Sequence, residues 1–274
     1  MSGIQEFVRP ASIAEALRML SVTGRVPLAG GTFLGAHCPS RVTGLVDLSR
    51  IGLSYIKAHG EGVVLGAMTP LAALASSARC GPLAACAADA ATEPLRHMIT
   101  VGGNVMIPLR WSDLPLLLCV LDAEFVVRGH AMRTRTYRSG VFFKQPPAVL
   151  LKQGELLTEV HVPALRGVRL ARRKLVRNHG DIPALQVAAA LRLQRGKMCN
   201  VRMAFVAQKP LPTRLAACED LIEGKKPTDE LFAAAAHAVR GEAGVLSDTR
   251  FSSAYLQEII GVFVRRILEE CTNE

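Results

Sequence analysis

Two glycine pairs are the places where this chain can bring bare backbone against a charged ligand. The first lies in Leu28-Ala29-Gly30-Gly31-Thr32-Phe33, behind the apolar run Val26-Pro27-Leu28. The second lies in Thr100-Val101-Gly102-Gly103-Asn104, followed by Ser112-Asp113. Without a Cβ, a residue takes positive φ cheaply and lets successive N–H groups converge on an anion. Small and polar flanks leave room for phosphates. A lone Gly-Gly pair is ordinarily a turn, and a strand-to-helix turn is the alternative at each position. Two such pairs, each with its own polar flank, point to one extended dinucleotide held at two places.

The elements around the pairs follow from local signals. Ser12-Ile13-Ala14-Glu15 has capping-box spacing and opens a helix whose apolar face is Ala16, Leu17, Met19 and Leu20, with Gly24 as its stop. Val26-Pro27-Leu28 and Leu45-Val46-Asp47-Leu48 read as strands. Residues 55–59 and 63–65 read as a hairpin turning at Gly60-Glu61-Gly62. Thr69-Pro70 reads as N-cap and first residue of a helix through Leu74. The alanine-rich residues 83–91 predict a second helix ending near Pro94. Residues 124–128 and 132–136 read as strands joined at Gly129-His130. A further strand covers residues 159–162 and stops at Pro163. Residues 163–173 are basic and weakly patterned, and a domain boundary is placed there. Beyond it, Leu185, Val187, Ala189, Leu191 and Leu193 recur with period two, and a turn at Arg195-Gly196 leads into residues 201–206. Helices are then expected over 215–222, closed by Gly224, over 231–239 and over 254–270.

Composition narrows the function. The 274 residues suffice for two domains, and 50% are hydrophobic against 20% charged, an ordinary globular balance. Seven cysteines are scattered with no C-x-x-C, so they read as buried reduced thiols, and no metal or cluster is expected on this chain. The net charge of +10 favours an acidic partner or a phosphate-bearing cofactor, with a solvated surface as the default reading of the basic runs at 128–138 and 166–177. Aromatic residues make up only 5%, and no nucleic-acid reading motif is present, so nucleic acid is not an expected partner. The apolar stretch from Leu114 to Leu121 is far too short for a membrane span, and the first seven residues lack the basic and apolar regions of a signal peptide. A cytoplasmic location is expected. Neither glycine pair continues as a P-loop or as G-x-G-x-x-G.

In these residues the chain resembles the FAD-binding (medium) subunit of molybdenum hydroxylases of the xanthine dehydrogenase and carbon monoxide dehydrogenase type. The resemblance runs along nearly the whole chain. Phe7-Val8-Arg9-Pro10-Ala11-Ser12 is similar to the family's opening, Ala29-Gly30-Gly31-Thr32 to its first flavin loop, and Thr100-Val101-Gly102-Gly103-Asn104 to its second. Val46-Asp47-Leu48, Leu65-Gly66-Ala67, residues 154–163, and Lys174 with Asp181 match further stretches. Two segments depart from it. Phe33-Leu34 stands where the family often has Asp-Leu, and Val105-Met106-Ile107-Pro108-Leu109-Arg110-Trp111 replaces an Asn-Ala-Ser-Pro type segment.

The resemblance implies an α+β fold. A two-lobed FAD-binding domain of the vanillyl-alcohol oxidase (PCMH) type would occupy residues 1–165. A smaller C-terminal domain with an antiparallel sheet and helices would occupy residues 170–274. It implies FAD bound by Leu28, Ala29, Gly30, Gly31, Thr32 and Phe33, and by Thr100, Gly102, Gly103 and Asn104. Asp113 would accept a hydrogen bond from a ribityl or ribose hydroxyl, or alternatively cap a helix with Ser112. Leu157, or alternatively Leu156, would lie against the isoalloxazine, or serve as a core residue. Lys174 would stand by the pyrimidine edge, or be a surface lysine. Trp111 would cover the cofactor or pack in the core, and His179 is read as structural or superficial. The implied partners are a molybdopterin-binding large subunit and a [2Fe-2S] small subunit, and a dimer of heterotrimers is compatible with this. Electrons would arrive from the clusters and leave to NAD, oxygen or a quinone. A stand-alone FAD-dependent oxidase or reductase, and a flavin-free assembly subunit, are the alternatives.

Overall fold

A computed structural model describes residues 3–178 and 181–273. Helix α1 (Ile13–Leu20) begins where the capping signal places it: the Ser12 hydroxyl accepts from the Glu15 amide at 3.2 Å. The Glu15 carboxylate reaches one residue further back than a standard capping box, accepting from the Ala11 amide at 2.7 Å. The helix ends at Leu20 with Ser21 as its C-cap, and Gly24, at φ +86°, turns the chain three residues later. Ala16, Leu17 and Leu20 bury against a small parallel sheet of β1 (Glu6–Val8), β2 (Arg25–Leu28) and β3 (Gly44–Asp47), in the order β1-β3-β2. This is the first lobe.

The second lobe is an antiparallel sheet. Its strands are β4 (Ile56–His59), β5 (Gly62–Gly66), β6 (Glu124–Arg128), β7 (Thr134–Arg138) and β8 (Leu156–Val162), in the order β4-β5-β8-β6-β7. The helices between β5 and β6 cover one face of it. They are α2 (Leu71–Ala75), α3 (Gly81–Ala88), α4 (Glu93–Met98), α5 (Val101–Met106) and α6 (Asp113–Val120). Two single-turn helices, α7 (Ser139–Phe142) and α8 (Pro147–Leu150), follow β7. Every residue of α6 is buried, so an unbroken apolar run forms the pillar of the domain.

Three local expectations shift. Thr69 does not cap α2. Its N-cap is Pro70, and the Thr69 hydroxyl instead bonds the Tyr55 backbone, accepting from N at 3.0 Å and donating to O at 2.8 Å. Pro94 does not end the alanine-rich helix, which stops at Ala88; it lies in the first turn of α4, where its missing N–H costs nothing. The basic segment at 163–173 is not a loose boundary throughout, because its second half enters strand β9 (Arg169–Leu175).

The C-terminal sheet is antiparallel, with β10 (Leu185–Gln194), β11 (Lys197–Val206) and β12 (Thr213–Arg214) beside β9 in the order β12-β11-β10-β9. The period-two alternation of β10 serves two cores. Leu185, Val187, Ala189 and Leu191 face the helices α9 (Ala216–Ile222), α10 (Asp229–Glu242) and α11 (Ser253–Thr272). On the other face the small residues Ala188, Ala190 and Ala204 let the sheet approach α6 and join the core of the second lobe. The two domains are thus packed through a sheet buried on both faces. No helix among the described residues is long and apolar enough to cross a membrane.

Candidate functional site

The first glycine segment leaves the end of β2 and turns at Gly31, whose φ is +71°. The amides of Gly35, Ala36 and His37 fold back onto the carbonyls of Gly31 and Phe33 at 2.8–3.1 Å. The amides of residues 29–34 donate to no described residue. Six successive N–H groups on the wall of a cleft, without a partner among the described residues, can converge on an anion. Gly30 serves another purpose. A Cβ there would stand 1.6 Å from the Met98 carbonyl oxygen, so only glycine lets this segment lie on the end of α4.

The second glycine pair differs from the expected loop. It is the first turn of α5, neither glycine has positive φ, and its amides are already engaged. Val101 donates to Thr69 O at 2.9 Å, Gly102 to Ala67 O at 2.7 Å, Asn104 to Thr100 O at 2.9 Å, and Gly103 to the Thr100 hydroxyl at 3.1 Å. These glycines therefore act by close packing rather than as a nest. A Cβ on Gly102 would come within 2.8 Å of the Ala67 carbonyl oxygen, and one on Gly103 would lie 4.0 Å from the Ala29 Cβ. That distance places the two distant segments side by side. Asn104 uses Oδ1 to accept from the Leu114 amide at 3.2 Å, capping α6, which leaves its side-chain N–H donors free of described partners.

Asp113 and Lys174, expected to meet the ligand separately, meet each other. Lys174 Nζ lies 2.8 Å from Asp113 Oδ1 and 3.5 Å from an Asp89 carboxylate oxygen. The same Asp113 oxygen is bonded by Arg172, whose site role is masked in the sequence by the basic run around it. Asp113 Oδ2 takes no hydrogen bond from the described residues, and an ammonium has three donors, so each group keeps bonding capacity toward the cleft. The basic run is therefore not one solvated face. Along β9, Arg172 and Lys174 reach Asp113 at the cleft, while Arg173, which also borders the cleft, pairs with Glu270 of α11.

These groups line one cleft of about 1690 Å³, above the roughly 300–1,000 Å³ of ordinary small-molecule pockets. Ala29, Gly30, Gly31, Thr32, Phe33, Thr100, Gly102, Gly103, Asn104, Asp113, Leu157 and Lys174 all border it. Leu28 does not; its side chain lies beneath the turn at Gly31. Leu157 is buried on β8 and Phe33 stacks on His37 with ring centroids 5.2 Å apart. Trp111 is 46% exposed on the cleft border, so it is not a core residue. His179 lies outside the described residues.

A two-lobed domain with a deep cleft, unspent amides at a glycine turn, and a second domain contributing cations is a dinucleotide-binding module. Its N-terminal part, residues 3–165, matches the model of the FAD binding domain in molybdopterin dehydrogenase, and residues 171–271 match the CO dehydrogenase flavoprotein C-terminal domain. The carbon monoxide dehydrogenase medium chain of Hydrogenophaga pseudoflava is 31% identical, over 96% of this chain and 95% of its own. The glyceraldehyde dehydrogenase medium chain of Sulfolobus acidocaldarius is 29% identical, over 96% and 97%. A solved structure of the Hydrogenophaga pseudoflava carbon monoxide dehydrogenase superposes with a TM-score of 0.90 at 30% identity, covering 99% of this chain and 98% of that one. The chain belongs to the FAD-binding subunits of the molybdopterin dehydrogenase family and is an oxidoreductase subunit.

Proposed function

We propose that this chain is the flavoprotein stage of a molybdenum hydroxylase. It would take electrons from the [2Fe-2S] clusters of a small partner subunit and pass them to NAD, oxygen or a quinone. A molybdopterin-binding large subunit would oxidise the organic substrate. The medium-chain names of the relatives support a complex of several chains. A cytoplasmic location and a dimer of such heterotrimers belong to the same proposal. The FAD domain is taken as residues 1–165 and the C-terminal domain as residues 170–274.

FAD, when bound, supplies reversible storage of two electrons. The protein's part is to hold it. The amides of residues 29–34 receive the diphosphate, with Gly31 setting their direction and Leu28 supporting the turn. Thr100, Gly102 and Gly103 form the opposite wall by close packing, and Asn104 donates from its side-chain amide. Asp113 Oδ2 accepts from a hydroxyl of the cofactor. Leu157 supports the ring from β8, and Lys174 places positive charge where negative charge develops on reduction.

The single observation carrying this reading is the run of amides at residues 29–34 without a partner among the described residues, beside the second glycine segment. The test is the absorption spectrum of the purified chain, with the released flavin identified. A yellow protein carrying about one FAD per chain, and no turnover of organic substrates alone, is the expected result. A colourless protein that takes up no added FAD refutes the proposal, and substrate oxidation by the isolated chain favours a stand-alone oxidase.

A further inference from the structure

We propose that Arg172 positions both Asp113 and Lys174 for the cofactor, so that the C-terminal domain sets the affinity and the reduction potential of the flavin. The inference rests on the FAD reading above. Arg172 lies at the middle of β9, and only 4% of its side chain is exposed. Its Nη1 donates to Asp113 Oδ1, and its Nη2 donates to Asp89 Oδ2 at 2.7 Å and to the Cys86 carbonyl at 3.3 Å. One guanidinium from the C-terminal domain thereby ties together the end of α3 and the first turn of α6. The rigid guanidinium fork sets the spacing between the two carboxylates it bridges, one on each Nη, which a single flexible ammonium cannot do.

The consequence lies in which oxygen is used. Arg172 and Lys174 both engage Asp113 Oδ1, and Oδ2 stays free for a ligand hydroxyl. Two cations face the two carboxylates Asp89 and Asp113, so Lys174 can turn a donor to the cofactor while Asp113 remains paired with Arg172. Without Arg172, Lys174, already 2.8 Å from Asp113 Oδ1, becomes the sole cation for that buried carboxylate and is held there rather than turning a donor to the cofactor. An uncompensated buried charge is strongly unfavourable, so this pairing is kept.

The test compares the full-length wild type with Arg172→Met and Arg172→Lys. Three quantities are read: FAD affinity by flavin fluorescence, the midpoint potential of the bound flavin, and thermal unfolding without FAD. Arg172→Met is expected to weaken FAD at least about tenfold, since it removes one member of a buried ion cluster. It should also lower the potential by about 30 mV, a tenfold loss in preference for the reduced form. Arg172→Lys, which returns the charge but not the fork, should restore the potential and only part of the affinity. A folded Arg172→Met protein with wild-type affinity and potential overturns the proposal. Should Arg172→Met fail to fold, Arg172→Lys decides: wild-type affinity there overturns the proposal, and weakened affinity at unchanged potential supports it. A wild type that binds no FAD sinks the functional reading itself, an outcome distinct from either.

Discussion

Replacing Gly30 by alanine is the sharpest perturbation of the cleft. The new Cβ would stand 1.6 Å from Met98 O and 2.7 Å from Met98 C, both backbone atoms of the α4 end. No side chain can swing aside to relieve this. Ordinary contact begins near 3.4 Å, so the two segments must separate by about 1.8 Å. The apo-protein should lose about 1–3 kcal/mol, the usual cost of overpacking. The cofactor should lose more. Moving the turn that far takes two or so amides out of reach of the diphosphate, at about 1.5–3 kcal/mol for each charge-assisted bond. FAD affinity should then fall by roughly 10² to 10⁴. Titration of flavin fluorescence measures this, with thermal melts reporting the fold. Gly31→Ala is the comparison: its Cβ meets only Leu28 Cδ1 at 3.6 Å, and its φ of +71° costs about 1–2 kcal/mol without displacing the segment. Gly241→Ala in α10, with nothing within 4 Å, should leave FAD binding unchanged. Wild-type affinity in Gly30→Ala would refute the idea that the packing of this turn on α4 positions the diphosphate site.

Two further outcomes follow from groups away from the cleft. Burial pushes the Glu159 carboxyl up, but hydrogen bonds from His161 and Tyr55 and the Arg128 charge hold it below its ordinary value of 4.5. Its folded value being depressed, its contribution to stability is complete above the ordinary carboxylate range and is lost as pH falls through the folded value. Urea unfolding across acid pH should therefore show the gap between wild type and Glu159→Gln shrinking as pH drops, and a gap independent of pH contradicts the assignment. Burial pushes the thiols of Cys119, Cys218 and Cys271 up to about 12. Alkylation near neutral pH should spare these three in the native protein and reach them in denaturant, and native labelling of Cys119 would show that α6 is not the closed pillar described.

The sequence disclosed those elements whose signals are local. The capped start of α1, the hairpin of β4 and β5 and the alternation of β10 each follow from a few adjacent residues, and each forms. The parallel sheet was only half legible. Its strands are three or four residues long and pair across tens of positions, so β1 gave no pattern to read. Pro94 was ambiguous because proline both closes and opens helices. The second glycine pair looked like a nest, yet Thr100 caps it into a helix whose amides find Ala67 and Thr69, partners remote in sequence. Arg172 was hidden because charge alone does not tell a buried cation from a solvated one. Its period-two relation to Lys174 on one strand face was the signal that could have found it.

The most direct measurement is an experimental structure of the chain with FAD bound. Diphosphate oxygens are expected within hydrogen-bonding distance of amides in the 29–34 segment, between that turn and the first turn of α5. A diphosphate held elsewhere in the cleft, with those amides still unpartnered, would contradict this.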